Sequence, residues 1–301
     1  MPSKRQAGGP LAPLIRALVA IAHEVRDRVP PGLGPDDAAA QSVACAVPLA
    51  QLHRQELERA LPWLHAQLSD WEQWSLQESL RDSHPLAPNC ALHLYDTFLH
   101  AWQRDRRQRS GVFFTPQPIA DYLIAQIDRT LRAEFALPQG IAAESEIHFL
   151  DPALGTGVFL LTVLDRIHRQ LTDQWSAAGH DESARRRLWN AFVPRLLPRL
   201  AGIEILPPAA LLAKLNLAIK LAQTGYDFAA PTPLNITCGD ALQEKSKIRN
   251  PKSEIMIVLG NPPYSALSTS ANPWISRLVR GDDEIRGYVC ASDERLGERK
   301  T

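Results

Sequence analysis

Four short apolar runs in the second half of the chain constrain its fold more than any other feature. IHFL (147–150), AGIEI (201–205), NITC (235–238) and IMIVLG (255–260) are separated by stretches with helical periodicity. Strands alternating with helices predict a parallel, doubly wound α/β sheet with its ligand at the carboxyl ends of the strands. One intervening helix, around 183–197, is rich in arginine, and QEKSKIRNPKSE (243–254) is a polar loop before the last strand.

The first hundred residues carry few strand signals. LAPLIRALVAIAHEVRDRV (11–29) has apolar residues at helical spacing and is broken by PPGLGP (30–35). Residues 50–74 read as a helix with Pro62 as a kink or boundary, and ALHLYDTFLHAWQRDRRQR (91–109) is an amphipathic helix that turns basic at its end. PQPIADYLIAQIDRTLRAEF (116–135) follows, with Thr115 placed to cap it and Pro116 in its first turn. The expected division is a helical region, 1–108, ahead of an α/β domain, 109–301.

The strand ends carry the chemistry. IHFLDPALGTGVFLL (147–161) is a strand, a glycine loop and a helix start. Gly155 and Gly157 let a ligand approach the backbone, but Asp151 suits an ammonium better than the pyrophosphate that GxGxxG would bind. GIEI (202–205) places Glu204 where it can accept from two ribose hydroxyls. The usual interval of about 20 residues to such an acid is exceeded more than twofold here, and the arginine-rich helix fills the gap. CGDAL (238–242) puts Asp240 at the third strand end, placed to accept from an adenine amino group. Taken singly, each acid fits a capping or solvated strand end equally well. Together the three outline an adenosine that carries an amino acid.

IVLGNPPYSAL (257–267) is the sharpest signal. Prolines cannot donate to a sheet ladder, and Pro262 biases Asn261 towards an extended backbone, so the strand stops with a polar side chain held stiffly. An exocyclic adenine amino group is a poor nucleophile because its lone pair is delocalised into the ring. The Asn261 side-chain oxygen and the Pro262 carbonyl can accept both of its N–H groups and localise that pair. Such acceptors act only when preorganised, and Tyr264 offers a face for an extruded base. The plain alternative is a proline turn closing a buried strand.

SGVFFTPQPIADYLI (110–124) is a helix start with aromatic packing, or a backbone that closes over a ligand carboxylate near Thr115. Arg104, Arg106, Arg107 and Arg109 form a basic cluster suited either to phosphates or to a solvated helix C-terminus. Overall charge is uninformative, because 33 basic residues balance 33 acidic ones. Cys45, Cys90, Cys238 and Cys290 form no CxxC pair, and the nine histidines lack metal-ligand spacing. With no apolar leader and no run of about 18 apolar residues, a soluble cytoplasmic protein without a membrane partner is expected.

These pieces, in this order, resemble the N6-adenine DNA methyltransferases of the gamma class. LHLYDTFLHAW followed by RSGVFFTPQPIADYLI is similar, more narrowly, to the methylase portion of large single-chain restriction–modification enzymes. The likeness covers roughly 91–301. It implies a Rossmann-like core, S-adenosylmethionine as cofactor and DNA as partner. By position, it implies that Thr115, Asp151, Ala153, Gly155, Gly157, Glu204 and Asp240 bind the cofactor. It implies equally that Asn261, Pro262 and Tyr264 hold a flipped adenine, and that the first 90 residues are a helical spacer. No GxxxxGK[ST] loop occurs in this sequence, so ATP-driven translocation is not expected of it.

The family continues past NPPY into further strands and a target-recognition domain, whereas this sequence stops at DERLGERKT. The expectation is a truncated or split methyltransferase, weak or inactive alone, completed by a C-terminal portion or a separate specificity subunit. Two other readings stand beside it. Protein-glutamine and ribosomal-RNA N-methyltransferases also use NPPY, and a non-catalytic remnant would keep the motif residues and bind cofactor or a partner subunit.

Overall fold

In a computed structural model, the structure describes residues 12–26, 29, 34–50, 54–81, 98, 115–143, 147–242 and 255–262. The expected helix 91–109 apart from Phe98, its basic cluster, residues 110–114, the loop 243–254 and Tyr264 lie outside them.

All four expected strands form: β1 (Ile147–Asp151), β2 (Leu200–Glu204), β3 (Asn235–Cys238) and β4 (Ile255–Val258). They pair in parallel in the order β3-β2-β1-β4. The chain moves outward from β1 to β2 and β3, then crosses back to place β4 on the other side of β1. That reversal opens a crevice beyond the carboxyl ends of β1 and β4, where doubly wound sheets bind ligands. Ile147 and Phe149 are fully buried on one face of β1 and Leu150 is buried on the other, as a strand covered on both faces requires.

Helices fill the crossovers from β1 to β2 and from β2 to β3. Between β1 and β2 run α6 (Val158–Ala177) and α7 (Glu182–Leu196), the second being the expected arginine-rich helix. Asp181 caps α7 by accepting from the Ala184 N–H at 2.7 Å. Helix α8 (Pro207–Gln223) links β2 to β3 and is apolar almost all round. One side packs on β2 and β3, and the other meets α2 (Pro35–Ala50) and α3 (Arg54–His65), so it is buried from both directions. Helix α1 (Ala12–Arg26) packs on α2.

Polar contacts fix the helical lead-in to this layer. Lys214 Nζ donates to the Gln67 carbonyl at 3.0 Å, and Trp63 Nε1 donates to the Thr232 carbonyl at 2.9 Å. The Leu234 N–H donates to Gln67 Oε1 at 3.0 Å.

Two expectations shift. The single helix at 50–74 is interrupted at residues 66–69, not at Pro62, which lies inside α3. The break falls where α4 (Asp70–Arg81) starts its own cap. The Ser69 N–H donates to Glu72 Oε2 at 2.8 Å, and the Glu72 N–H reaches back to Ser69 Oγ at 3.4 Å. This is a capping box spelled SDWE, a signal legible in the sequence. Helix α5 (Gln117–Glu134) begins one residue later than expected: Pro116 has an extended ψ of 134° and occupies the cap position, leaving Thr115 just outside.

A buried carboxylate ties α5 to α6. Asp128 Oδ2 accepts from Arg166 Nη2 at 3.0 Å and Gln170 Nε2 at 2.8 Å, while Oδ1 accepts from the Ile141 N–H at 3.0 Å. Burial opposes its charge, but the Ile141 N–H, Arg166 and Arg132 outweigh that and hold the carboxyl below its usual range. Both arginines are partly exposed, so their share is screened. Asp128→Ala is expected to destabilise the fold by about 3 kcal/mol, chiefly by leaving buried donors unmatched. Urea unfolding measures this, and a loss under about 1 kcal/mol would contradict the account.

Among the described residues, no helix is long and apolar enough to cross a membrane.

Candidate functional site

Parallel pairing brings the strand-end residues together. Asp151 closes β1, Glu204 closes β2, and Gly239 and Asp240 follow β3. Gly260, Asn261 and Pro262 follow β4, where the Leu259 N–H extends the ladder to the Leu150 carbonyl at 3.0 Å. Thus Asp151, Glu204, Asp240, Asn261 and Pro262 all lie along one edge of the sheet.

The loop between β1 and α6 is pinned at nearly every residue. The Ala153 N–H donates to Asp151 Oδ1 at 3.0 Å, and the Leu154 N–H to the Ile203 carbonyl at 3.0 Å. The Gly155 N–H donates to Glu204 Oε2 at 2.7 Å, and the Gly157 N–H to the Leu154 carbonyl at 2.9 Å. Gly155 and Gly157 take φ values of 55° and 89°, in the left-handed region that favours glycine. A Cβ added at Gly155 would meet no atom within 4 Å, so this turn of the loop borders open space.

Asp151 is fully buried, and its Oδ2 has no hydrogen-bond partner among the described residues. Burial pushes its carboxyl up to about 7, and the charge on Glu204 adds to the rise against the Ala153 N–H. Burial raises Glu204 as well, opposed by the N–H groups of Leu206, Gly155 and Ile205. Two carboxylates withdrawn from water at adjacent strand ends make a site that a cation relieves and a phosphate would aggravate. An ammonium therefore fits this donor set, and a dinucleotide pyrophosphate does not.

The β4 end closes on the same carboxylate. A Cβ built on Gly260 would lie 2.8 Å from Asp151 Oδ1, so only glycine lets the two strand ends approach this closely. Asn261 is therefore one residue removed from a direct neighbour of Asp151.

The other expected residues fall as follows. Glu204 already accepts from the Gly155 N–H and, at 2.8 Å, from the Leu206 N–H, so part of its acceptor capacity is committed to the backbone. Asp240 Oδ1 accepts from the Leu242 N–H at 2.9 Å in a tight turn. Thr115 stands just ahead of α5, whose first residue, Gln117, donates to Thr162 Oγ1 in the second turn of α6 at 2.9 Å. The starts of α5 and α6 are thereby drawn together. No group of His, Cys, Asp and Glu among the described residues could hold a metal ion.

Sequence reasoning overlooked Leu154, whose side chain fills the space over Gly202, and Asn216, which donates to the Thr156 carbonyl at 3.0 Å. Asn216 left a readable trace as a polar residue in the otherwise leucine- and alanine-rich stretch of α8.

The raised carboxyl sets a pH dependence. An aspartate in the unfolded chain ionises near about 3.9, whereas Asp151 in the folded chain does so at about 7. Across that window the folded state holds the extra proton, so stability falls as pH rises from about 4 to about 7, by at most roughly 4 kcal/mol. The denaturant midpoint should be lower at pH 8 than at pH 5, with Asp151→Asn flattening the difference. Equal midpoints for the unaltered chain at the two pH values would rule this out.

A family model for N-6 DNA methylases matches residues 89–281. Among curated proteins, none matches. Among solved structures, the chain is similar to that of the DrdV–DNA complex, at 18% identity over 85% of this chain and 28% of that one, with a TM-score of 0.48. It is also similar to a nuclease-deletion mutant of the Type ISP restriction–modification enzyme LlaGI in complex with a DNA substrate mimic. That likeness is 17% identity over 87% of this chain and 25% of that one, with a TM-score of 0.45. The third is the ATP-dependent Type ISP restriction–modification enzyme LlaBIII bound to DNA, at 18% identity over 88% and 19%, with a TM-score of 0.47. The chain therefore spans only 19% to 28% of the length of these structures.

Proposed function

The chain belongs to the N-6 DNA methylase family, and from that premise we propose that it transfers a methyl group from S-adenosylmethionine to the N6 amino group of adenine in DNA. The observation that carries the cofactor assignment is Asp151, a fully buried carboxylate at the switch point of the sheet with one oxygen unpartnered among the described residues. S-adenosylmethionine supplies an electrophilic methyl group on a sulfonium and carries an ammonium and a ribose diol.

Asp151 would accept from the ammonium, and its buried charge is compensated only when that cation is present. Glu204 would use its remaining acceptor capacity on the ribose hydroxyls. Asp240 would accept from the adenine amino group of the cofactor. Ala153, Gly155 and Gly157 shape the floor, and Thr115 lies on the side where the starts of α5 and α6 converge.

Asn261 and Pro262 act on the other substrate. Their oxygens would accept both N–H groups of the target base, localising its lone pair on nitrogen. Stacking of that base falls to Tyr264. No strong general base is required, because the amino nitrogen sheds a proton readily once it has been alkylated.

The wider setting follows the sequence resemblance. Residues 1–108 would serve as a helical spacer and 109–301 as the methylase part of a restriction–modification enzyme working in the cytoplasm. A target-recognition portion or a specificity subunit would choose the DNA sequence.

The test is incubation of the chain with S-adenosylmethionine and mixed-sequence DNA, followed by mass spectrometry of the digested nucleosides. N6-methyladenine above background supports the assignment. Cofactor binding with no methylated base, unrescued by added polypeptides encoded alongside, would favour a non-catalytic remnant. Methylation of a glutamine peptide or of ribosomal RNA instead would replace the acceptor.

A further inference from the structure

Helix α8 contributes to the glycine loop through a residue that no motif includes. The peptide joining Thr156 to Gly157 lies between Thr156 and a glycine in the left-handed region at φ 89°, and Gly155, at φ 55°, precedes Thr156. On the Gly157 side, local sequence imposes little on its orientation, because that residue has no side chain. Two hydrogen bonds impose it instead: the Gly157 N–H donates to the Leu154 carbonyl at 2.9 Å, and Asn216 Nδ2 donates to the Thr156 carbonyl at 3.0 Å.

Asn216 sits between Leu215 and Leu217, both essentially buried, in a helix rich in alanine and leucine. Asparagine is a poorer helix former than either and needs a polar partner when withdrawn from water. Among the described residues, its side chain donates to this loop carbonyl. One turn earlier, Ala213 abuts Gly157, where an added Cβ would lie 3.4 Å from the Ala213 side chain. On its other side, α8 is held to the helical lead-in by Lys214, whose amine reaches the Gln67 carbonyl at 3.0 Å and lies 3.7 Å from Glu72. The loop is thus positioned by a helix that is itself fixed from behind.

We propose that Asn216 is a positioning residue for the cofactor loop: it holds the Thr156 carbonyl against α8, so that this oxygen does not turn towards the ligand and the loop is set before the ligand arrives. The inference rests on the reading of this loop as the S-adenosylmethionine site. A preorganised loop binds more tightly because less ordering remains to be done on binding.

The test compares the unaltered chain with Asn216→Asp, which keeps the shape but, when ionised, has no N–H to donate, and with Asn216→Ser as a second variant. Amide exchange is followed at Gly155 and Gly157 without ligand, and S-adenosylmethionine affinity is measured by calorimetry. Both variants should exchange faster at these two amides, with β2 unchanged. Affinity should weaken roughly tenfold, the scale of one lost hydrogen bond with its ordering effect.

A merely structural role would instead accelerate exchange throughout the sheet and leave the affinity of the folded fraction intact, which overturns the proposal. Unchanged exchange in the loop overturns it too. If the unaltered chain fails to bind S-adenosylmethionine while the variants still loosen the loop, the positioning role is upheld and the donor assignment alone falls.

Discussion

Asn261→Ala is expected to lower methyl transfer at least about a hundredfold while changing S-adenosylmethionine affinity by less than about threefold, the pattern of a group that acts on the acceptor alone. The side-chain oxygen of Asn261 stands just past β4, one residue beyond Gly260, which packs against Asp151. The acceptor group is therefore carried on the opposite side of the switch point from the glycine loop. Removing it should leave the Asp151, Glu204 and glycine-loop contacts in place but take away the acceptor proposed to localise the amino lone pair. Transfer is read as N6-methyladenine by mass spectrometry and affinity by calorimetry. Loss of cofactor affinity with transfer unchanged would reverse the assigned roles and discard the reading.

Asp151→Ala has the opposite signature. A charged hydrogen bond contributes about 1.5–3 kcal/mol, so the affinity for S-adenosylmethionine should fall roughly ten- to 150-fold. Above pH 7 the stability of the free protein should not fall, and it should rise, because the variant removes a fully buried carboxyl pushed up to about 7 by burial. Weaker binding together with a higher melting temperature marks a residue held in strain for function. Affinity in the unaltered chain should also strengthen as pH rises through about 7, since a cation favours the ionised carboxylate. A melting temperature that drops sharply in Asp151→Ala with affinity intact would make Asp151 an ordinary loop cap.

Much of the candidate site was legible because its residues sit at strand ends. A short apolar run that closes on an acid or on GNPP marks both the strand and its candidate functional end, and all four runs became strands within one or two residues of the expected bounds. Helix boundaries were less legible. Pro62 reads as a breaker, yet the break falls at residues 66–69, where the Ser69–Glu72 capping box restarts the chain. Residues 35–50 fall within the expected helical region, but no separate helix was bounded there. Their small residues, such as Ala39, Ala40 and Ala44, carry weak periodicity and become helical by packing on α8 and α4.

By itself, the sequence determined the alternating α/β class, the glycine loop and the chemical identity of the groups presented at the strand ends, because each depends on residues adjacent in the chain. Tertiary structure alone decided which of those groups meet. The order β3-β2-β1-β4 sets Asp151 between the Glu204 and Asn261 strands, brings Gly260 onto its carboxylate and commits two Glu204 acceptor positions to backbone N–H groups. It also delivered Asn216 to a carbonyl 60 positions away. Pairings of that kind follow from strand crossover and the burial of α8 between two layers, which no local pattern of residues encodes.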